Sequence, residues 1–243
     1  MTKIVTTMRF KLVSLVLIAL LSTVNTIFAM IPGYATIAEC PHCKGTKELL
    51  SIMSGNTVGG YQWWDLKEDY PMLPHISYVQ KCPHCGKYFI LSTVKKTVGT
   101  DYSSEMGQLS YPELREALLQ LHEMESGPAR SELLLEYVWA YNDAFQRELK
   151  IPKEFIIGNV EPTEEEKEEF KRVIIDLISC FQVYNDLIHA EFFREAGMFE
   201  EAIKAVDSAG PQTEEPYKTL EKIIREKCAS KDTRVGVVNF GKE

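Results

Sequence analysis

The tetrad Cys-Pro-His-Cys occurs twice in this chain, at residues 40–43 and again at 82–85. One tight turn can present two thiolates, and two such turns facing each other complete a tetrahedral shell of four sulfurs. Closing that shell joins two points 38 intervening residues apart, so it restricts the fold more than any other feature. The gap exceeds the roughly 15–20 residues usual between such pairs, so an inserted hairpin or loop is expected. Gly86 directly follows Cys85 and suits a turn needing positive φ. Lys44, Lys47, Lys81 and Lys87 flank the pairs and offset the negative charge of a four-thiolate site. Cys40, Cys43, Cys82 and Cys85 are therefore expected to hold one structural zinc ion per chain. His42 and His84 could replace a sulfur, but solvent exposure is the plainer expectation. Cys180 and Cys228 read as buried small apolar residues.

The same spelling allows other chemistry. A Cys-x-x-Cys oxidoreductase sets its pair at a helix start in a βαβ unit, and CPHC resembles the active site of periplasmic thiol oxidants with the thioredoxin fold. Neither tetrad here lies between a buried strand and a long amphipathic helix. The first residues nevertheless keep the question open. A basic segment, "MTKIVTTMRFK", precedes the apolar run "LVSLVLIALLSTV" at residues 12–24, as in a signal peptide. Residues 1–35 are expected to be a signal peptide ending at the small-x-small stretch Gly33-Tyr34-Ala35, or an uncleaved membrane anchor. Both place the body outside the cytosol, secreted or periplasmic. There, four cysteines can also form disulfides. A start at Met30 would make the protein cytoplasmic.

Beyond the leader the chain divides near Tyr102. Residues 36–102 carry glycines, aromatics and turn signals, and "YFILSTV" (88–94) has the content of a strand. Residues 103–243 read as helical. Ser110 with Glu113 and Thr163 with Glu166 have capping-box spacing. Phe170, Val173, Ile174, Leu177, Ile178 and Phe181 then mark one apolar face. The tail "DTRVGVVNF" reads as a final short strand. The fold class is thus α+β, a small β-rich zinc-ribbon-like module followed by a helical bundle. Between the tetrads, Trp63, Trp64 and Asp65 form a candidate contact surface, since adjacent residues of an extended segment face opposite ways. The competing reading has both tryptophans covering the core-poor head.

Function classes narrow by charge and by missing motifs. The formal charge of −8 becomes −11 without the leader's Lys3, Arg9 and Lys11, which disfavours nucleic acid. Membrane contact is expected only through an uncleaved leader. His75, His122 and His189 are scattered, and no His-Glu-x-x-His or Gly-x-Ser-x-Gly pattern accompanies them. A closed four-sulfur shell lacks the open position of catalytic zinc. A non-enzymatic interaction protein, with another protein as partner, is the expectation. An extracytoplasmic thiol–disulfide oxidoreductase is the alternative.

One helical stretch is specific. In "HAEFFREAGMFEEAIKAVDSA", Ala190, Phe193, Gly197, Phe199, Ala202 and Ala209 fall where a tetratricopeptide repeat places its small and aromatic packing residues. A single repeat-like hairpin is expected over about 186–209. Together with the two tetrads, "SGNTVGG", "WWDLK", "PMLP" and "WAYNDAFQR", the chain from residue 38 resembles a group of uncharacterised bacterial proteins. That resemblance implies a zinc-ribbon-like head on tetratricopeptide-like helices, and implies no activity.

Overall fold

The computed structural model describes residues 30–124, 126–147, 161–180 and 186–238. Strands come first. β1 (Met30–Glu39) and β2 (Thr46–Gly55) form an antiparallel hairpin whose loop is the first tetrad, with Glu39 opposite Thr46. β3 (Tyr61–Gln62) and β4 (Glu68–Asp69) make a small antiparallel hairpin within the long insertion between the tetrads. β5 (Val79–Lys81) and β6 (Tyr88–Ile90) flank the second tetrad, and β7 (Lys96–Val98) adds to the free edge of β1.

Six helices follow among the described residues: α1 (Tyr111–Gln120), α2 (Pro128–Phe145), α3 (Glu164–Cys180), α4 (Asp186–Glu195), α5 (Phe199–Ala209) and α6 (Tyr217–Ala229). Local chemistry starts two of them as expected. The Ser110 N–H donates to Glu113 Oε2 at 3.1 Å ahead of α1. At α3 the box is reciprocal, with Thr163 N–H to Glu166 Oε2 and Glu166 N–H to Thr163 Oγ1. α3 buries Phe170, Val173, Ile174 and Leu177 on one face. α2 has no single apolar stripe. Leu133, Leu134, Tyr137, Val138, Trp139 and Tyr141 are buried around its circumference, as befits a helix covered on most sides. α1, α3 and the β5–β6 hairpin supply that cover. α4 and α5 pack closely on each other across a turn at Gly197, whose φ is 71°, a value that glycine adopts without steric cost.

Strand β6 packs into both the head and the helical part. Its side chains alternate, so Phe89 enters a small core with Ala38, Leu49, Cys40 and Cys82, while Tyr88 and Ile90 enter the large helical core. Trp64 and Val79 join that large core as well. The change of composition near Tyr102 therefore marks a change of secondary structure, and apolar packing continues across it.

Two expectations need correction. The strand expected over 88–94 stops at Ile90 and continues as a 3-10 turn, Leu91–Thr93. The tail is extended but forms no named strand among the described residues. It makes single bridges, Val235 to Arg147 and Val237 to Trp63, because it threads between the head and α2 rather than along a free edge. Gly33-Tyr34-Ala35 lies inside β1, where the Ala35 N–H donates to Asp101 O at 2.8 Å. The leader's apolar run, Phe181 and the last five residues lie outside the described residues. No described helix is long and apolar enough to cross a membrane.

Candidate metal centre

The two tetrads fold into the same turn. In the first, Cys40 N–H donates to Gly45 O (2.8 Å) and Lys44 N–H donates to Cys40 O (3.0 Å). In the second, Cys82 N–H donates to Lys87 O (2.9 Å) and Gly86 N–H to Cys82 O (2.9 Å). The offsets are identical. Each turn also places the residue after its second cysteine at positive φ, 64° at Lys44 and 71° at Gly86. The expectation at Gly86 holds, and Lys44 takes the same conformation despite its side chain.

Strands β1, β2, β5 and β6 bring the turns face to face. Cys40 Sγ lies 3.8 Å from Cys85 Sγ, and Cys43 Sγ lies 3.6 Å from Cys82 Sγ. All four sulfurs lie within 4.8 Å of one another. Each short separation joins one turn to the other, so the cluster closes the chain across its long insertion. No disulfide forms among the described cysteines; a sulfur–sulfur bond would need about 2.05 Å. Cys40 and Cys82 are buried, whereas Cys43 and Cys85 are exposed. Such a set of donors can hold a metal ion.

The electrostatics also favour a cation. Burial pushes the Cys82 thiol up, but the N–H groups of Cys85 and His84 and the Cys43 and Cys40 thiols outweigh it and hold the group at about 6. At Cys43 the Gly45 N–H pulls down, yet burial and the hydrogen bonds to Cys82, Cys85 and Cys40 together push it up to about 12. One sulfur gives up its proton readily and its neighbour then resists. A bound cation would relieve that conflict. Of the flanking lysines, Lys44 pairs with Glu39 and Lys81 with Glu113, each at 3.4 Å. Lys47 is half-buried; burial lowers its pKa against the pull of Glu105 and Cys82.

The histidines have a role that spacing alone did not suggest. His42 Nε2 donates to Tyr88 O at 3.2 Å, and His84 Nε2 donates to Thr46 O at 3.2 Å. Tyr88 and Thr46 are each six residues after the first cysteine of the opposite tetrad. The repeated histidine thus ties the two turns together outside the sulfur shell. A Cβ at Gly45 would run into the His84 ring, so glycine is needed there for close approach. The repetition of His within both tetrads was the available signal. Gln120 then couples the centre to α1, since its Nε2 donates to Tyr88 O (3.0 Å) and its Oε1 accepts the Tyr88 N–H (3.2 Å).

The candidate contact surface at Trp63, Trp64 and Asp65 is not exposed, in keeping with the competing reading that both tryptophans are covered. The two tryptophans are 7% and 5% exposed and Asp65 is fully buried. Trp63 stacks under Arg147 (4.4 Å) and donates its indole N–H to Asp69 Oδ2 (2.8 Å). Asp65 accepts from Arg147 at 2.9 and 3.3 Å and from Asn142 Nδ2 at 2.9 Å. The tryptophans cover the joint between head and helices, where Arg147, just beyond α2, offsets the charge of the adjacent Asp65 and the Asn142 amide on α2 satisfies it further. Of the other cysteines, Cys228 is buried as expected. Cys180 is only partly so, with Ser126 Oγ 3.3 Å away.

Of the scattered histidines, His122 sits on an exposed helix end and bonds Leu119 O. His75 instead meets buried Glu136 at 2.7 Å, a pairing between residues 61 apart in the chain that no local motif announces. Comparison with family models, with curated proteins and with solved structures gives no match for this chain.

Proposed function

We propose that this protein is a non-enzymatic interaction module whose head is stabilised by one structural zinc ion. The observation carrying this reading is the sulfur geometry. Zinc–thiolate bonds of about 2.3 Å in a tetrahedron set neighbouring sulfurs about 3.8 Å apart, and the two cross-turn separations are 3.8 and 3.6 Å. Cys40, Cys43, Cys82 and Cys85 would hold the ion, which would supply folding free energy rather than an open coordination site. The α4–α5 hairpin, with Ala190 and Ala202 buried at its contact, supports a tetratricopeptide-like reading of that part and a protein as partner. The basic-then-apolar leader supports a location outside the cytosol.

The thiol–disulfide alternative draws on one observation, the Cys82 thiol held at about 6. Against it, each tetrad is followed by a strand, β2 or β6, and not by the helix whose N-terminus activates such pairs. Metal analysis with a free-thiol count decides. About one zinc per chain, lost in Cys82→Ser, supports the structural centre. No metal and four thiols missing from the count would replace it with disulfides and bring the redox reading forward.

A further inference from the structure

A cleft of about 470 Å³ opens where the β3–β4 hairpin and the turn after it meet α2, away from the sulfur cluster in sequence. Its walls include Tyr61, Tyr70, His75, Glu136 and Trp139, with Lys67 at its rim. Glu136 is one of three polar residues buried on α2, with Ser131 and Asn142, and is 7% exposed. One of its oxygens, Oε1, accepts from His75 Nε2 (2.7 Å) and from the Tyr78 N–H (2.8 Å). Oε2 takes no hydrogen bond from the described residues. The His75 ring packs edge-on against Tyr78 (4.9 Å) and Trp139 (5.3 Å).

The charge around this carboxylate has one sign in excess. Glu68, Asp69, Glu136 and Asp143 all line the cleft, against Lys67 in the lining and Arg147, which pairs with Asp143. Lys67 is committed to Asp143 (2.6 Å) and Asp69 (3.4 Å), and does not reach Glu136 at ion-pair distance. Oε2 therefore faces the cleft with its acceptor capacity unused by the described residues, open to a charge-assisted bond from a donor that enters. Aromatic faces beside it attract positive charge as well. The chain's formal charge of −8 draws cations toward such a site.

We propose that this cleft binds a cationic nitrogen group, an ammonium or guanidinium, with Glu136 Oε2 as its ion partner and Tyr61, Tyr70 and Trp139 as its aromatic walls. The group is either a basic side chain of a partner polypeptide or a small free amine; only the first source rests on the interaction reading above. Glu136→Gln separates binding from folding, because the amide oxygen keeps both bonds that Oε1 accepts and only the negative charge is lost.

The test titrates the full chain with the capped N-methylamides of acetyl-lysine and acetyl-arginine, with cadaverine and agmatine, and with capped norleucine as the uncharged control. The Trp139 indole and His75 ring resonances report binding, and zinc content is measured on the same sample. Cationic probes shift both resonances, norleucine does not, and Glu136→Gln weakens the cations at least about tenfold. Capped amino acids binding tighter than the diamines assigns the polypeptide source; the reverse assigns a free amine. If Glu136→Gln does not fold, Tyr61→Ala, at a residue already 46% exposed, is expected to weaken the cations severalfold. Equal binding of norleucine, unchanged affinity in the variants, or no shift with any cation up to the order of 10 mM overturns the proposal. Zinc content in that case still reports the metal centre independently.

Discussion

His42 and His84 make the same hydrogen bond in opposite directions, each ring reaching from its own turn to a backbone carbonyl of the other, at 3.2 Å in both cases. The pair behaves as an outer support for the sulfur shell. Supports of this kind typically affect metal affinity about 10–100-fold when removed. His84→Ala is expected to weaken metal retention by about that factor in competition with a chelator. Gly45→Ala should weaken it too, because the added methyl meets the His84 ring. The two changes should not add. In the double variant the methyl occupies the space the ring has left, so Gly45→Ala costs little on the His84→Ala background. Additive losses would show that the ring and the glycine act separately.

Lys44 and Gly86 occupy equivalent positions at φ of 64° and 71°, yet only one of them is glycine. The left-handed conformation costs a side-chain-bearing residue about 1–2 kcal/mol. Lys44→Gly is therefore expected to raise stability by up to about 1 kcal/mol, some of the gain being offset by the freer unfolded chain. Gly86→Ala should lower it by a similar amount through strain alone, since nothing lies within 4 Å of a Cβ built there. Urea midpoints of the metal-loaded proteins measure both; a Gly86→Ala variant as stable as the parent would refute the strain argument.

The parts of this fold written in short-range spacing were readable from the sequence. The turns at 40–43 and 82–85, positive φ at Gly86, and the boxes at Ser110 and Thr163 all depend on residues within a few positions of one another. What escaped depends on partners far along the chain. Burial of Trp63 and Trp64 was open from composition, but not that Arg147, 82 residues beyond Asp65, would stack on Trp63 and pair with Asp65. Glu136 reads as one more polar residue of α2 until His75 and the Tyr78 N–H meet it. The tail reads as a strand from its valines, but Val235 and Val238 donate to Gln146 and Gln62, carbonyls that only the assembled joint brings near.

Metal loading should be steeply dependent on pH. Thiols must lose their protons to bind, and with no cation bound Cys82 is held at about 6 while Cys43 is pushed up to about 12. Near neutral pH the ion must therefore displace the Cys43 proton, so apparent affinity rises with pH and falls as acid reprotonates the sulfurs. Zinc titrated into the metal-stripped protein in weakly buffered solution should release at least one proton per ion. Affinity should increase from pH 6 to 8. A flat affinity over that interval would mean that the sulfurs are not the ligands.

Glu195 gives the last prediction, and its sign is unusual for a carboxyl group. It is fully buried, with Asn142 Nδ2 on Oε2 at 3.0 Å and no partner on Oε1. Burial, with Asp65 and Glu191 nearby, pushes its pKa well above the ordinary value despite Arg194 and Asn142. The folded protein then keeps a proton that the unfolded chain releases near pH 4.3. Stability contributed by this group is present below that pH and is lost as pH rises through the raised folded value. Asp65 is shifted in the same direction, by burial held in check by Arg147, so it adds to the same slope. Glu195→Gln keeps the shape and supplies a fixed donor where the protonated carboxyl had one. Its Tm should match the parent's near pH 4, exceed it near pH 8, and decline less between them. If the two proteins lose stability in parallel over that range, Glu195 is ionised in the folded state.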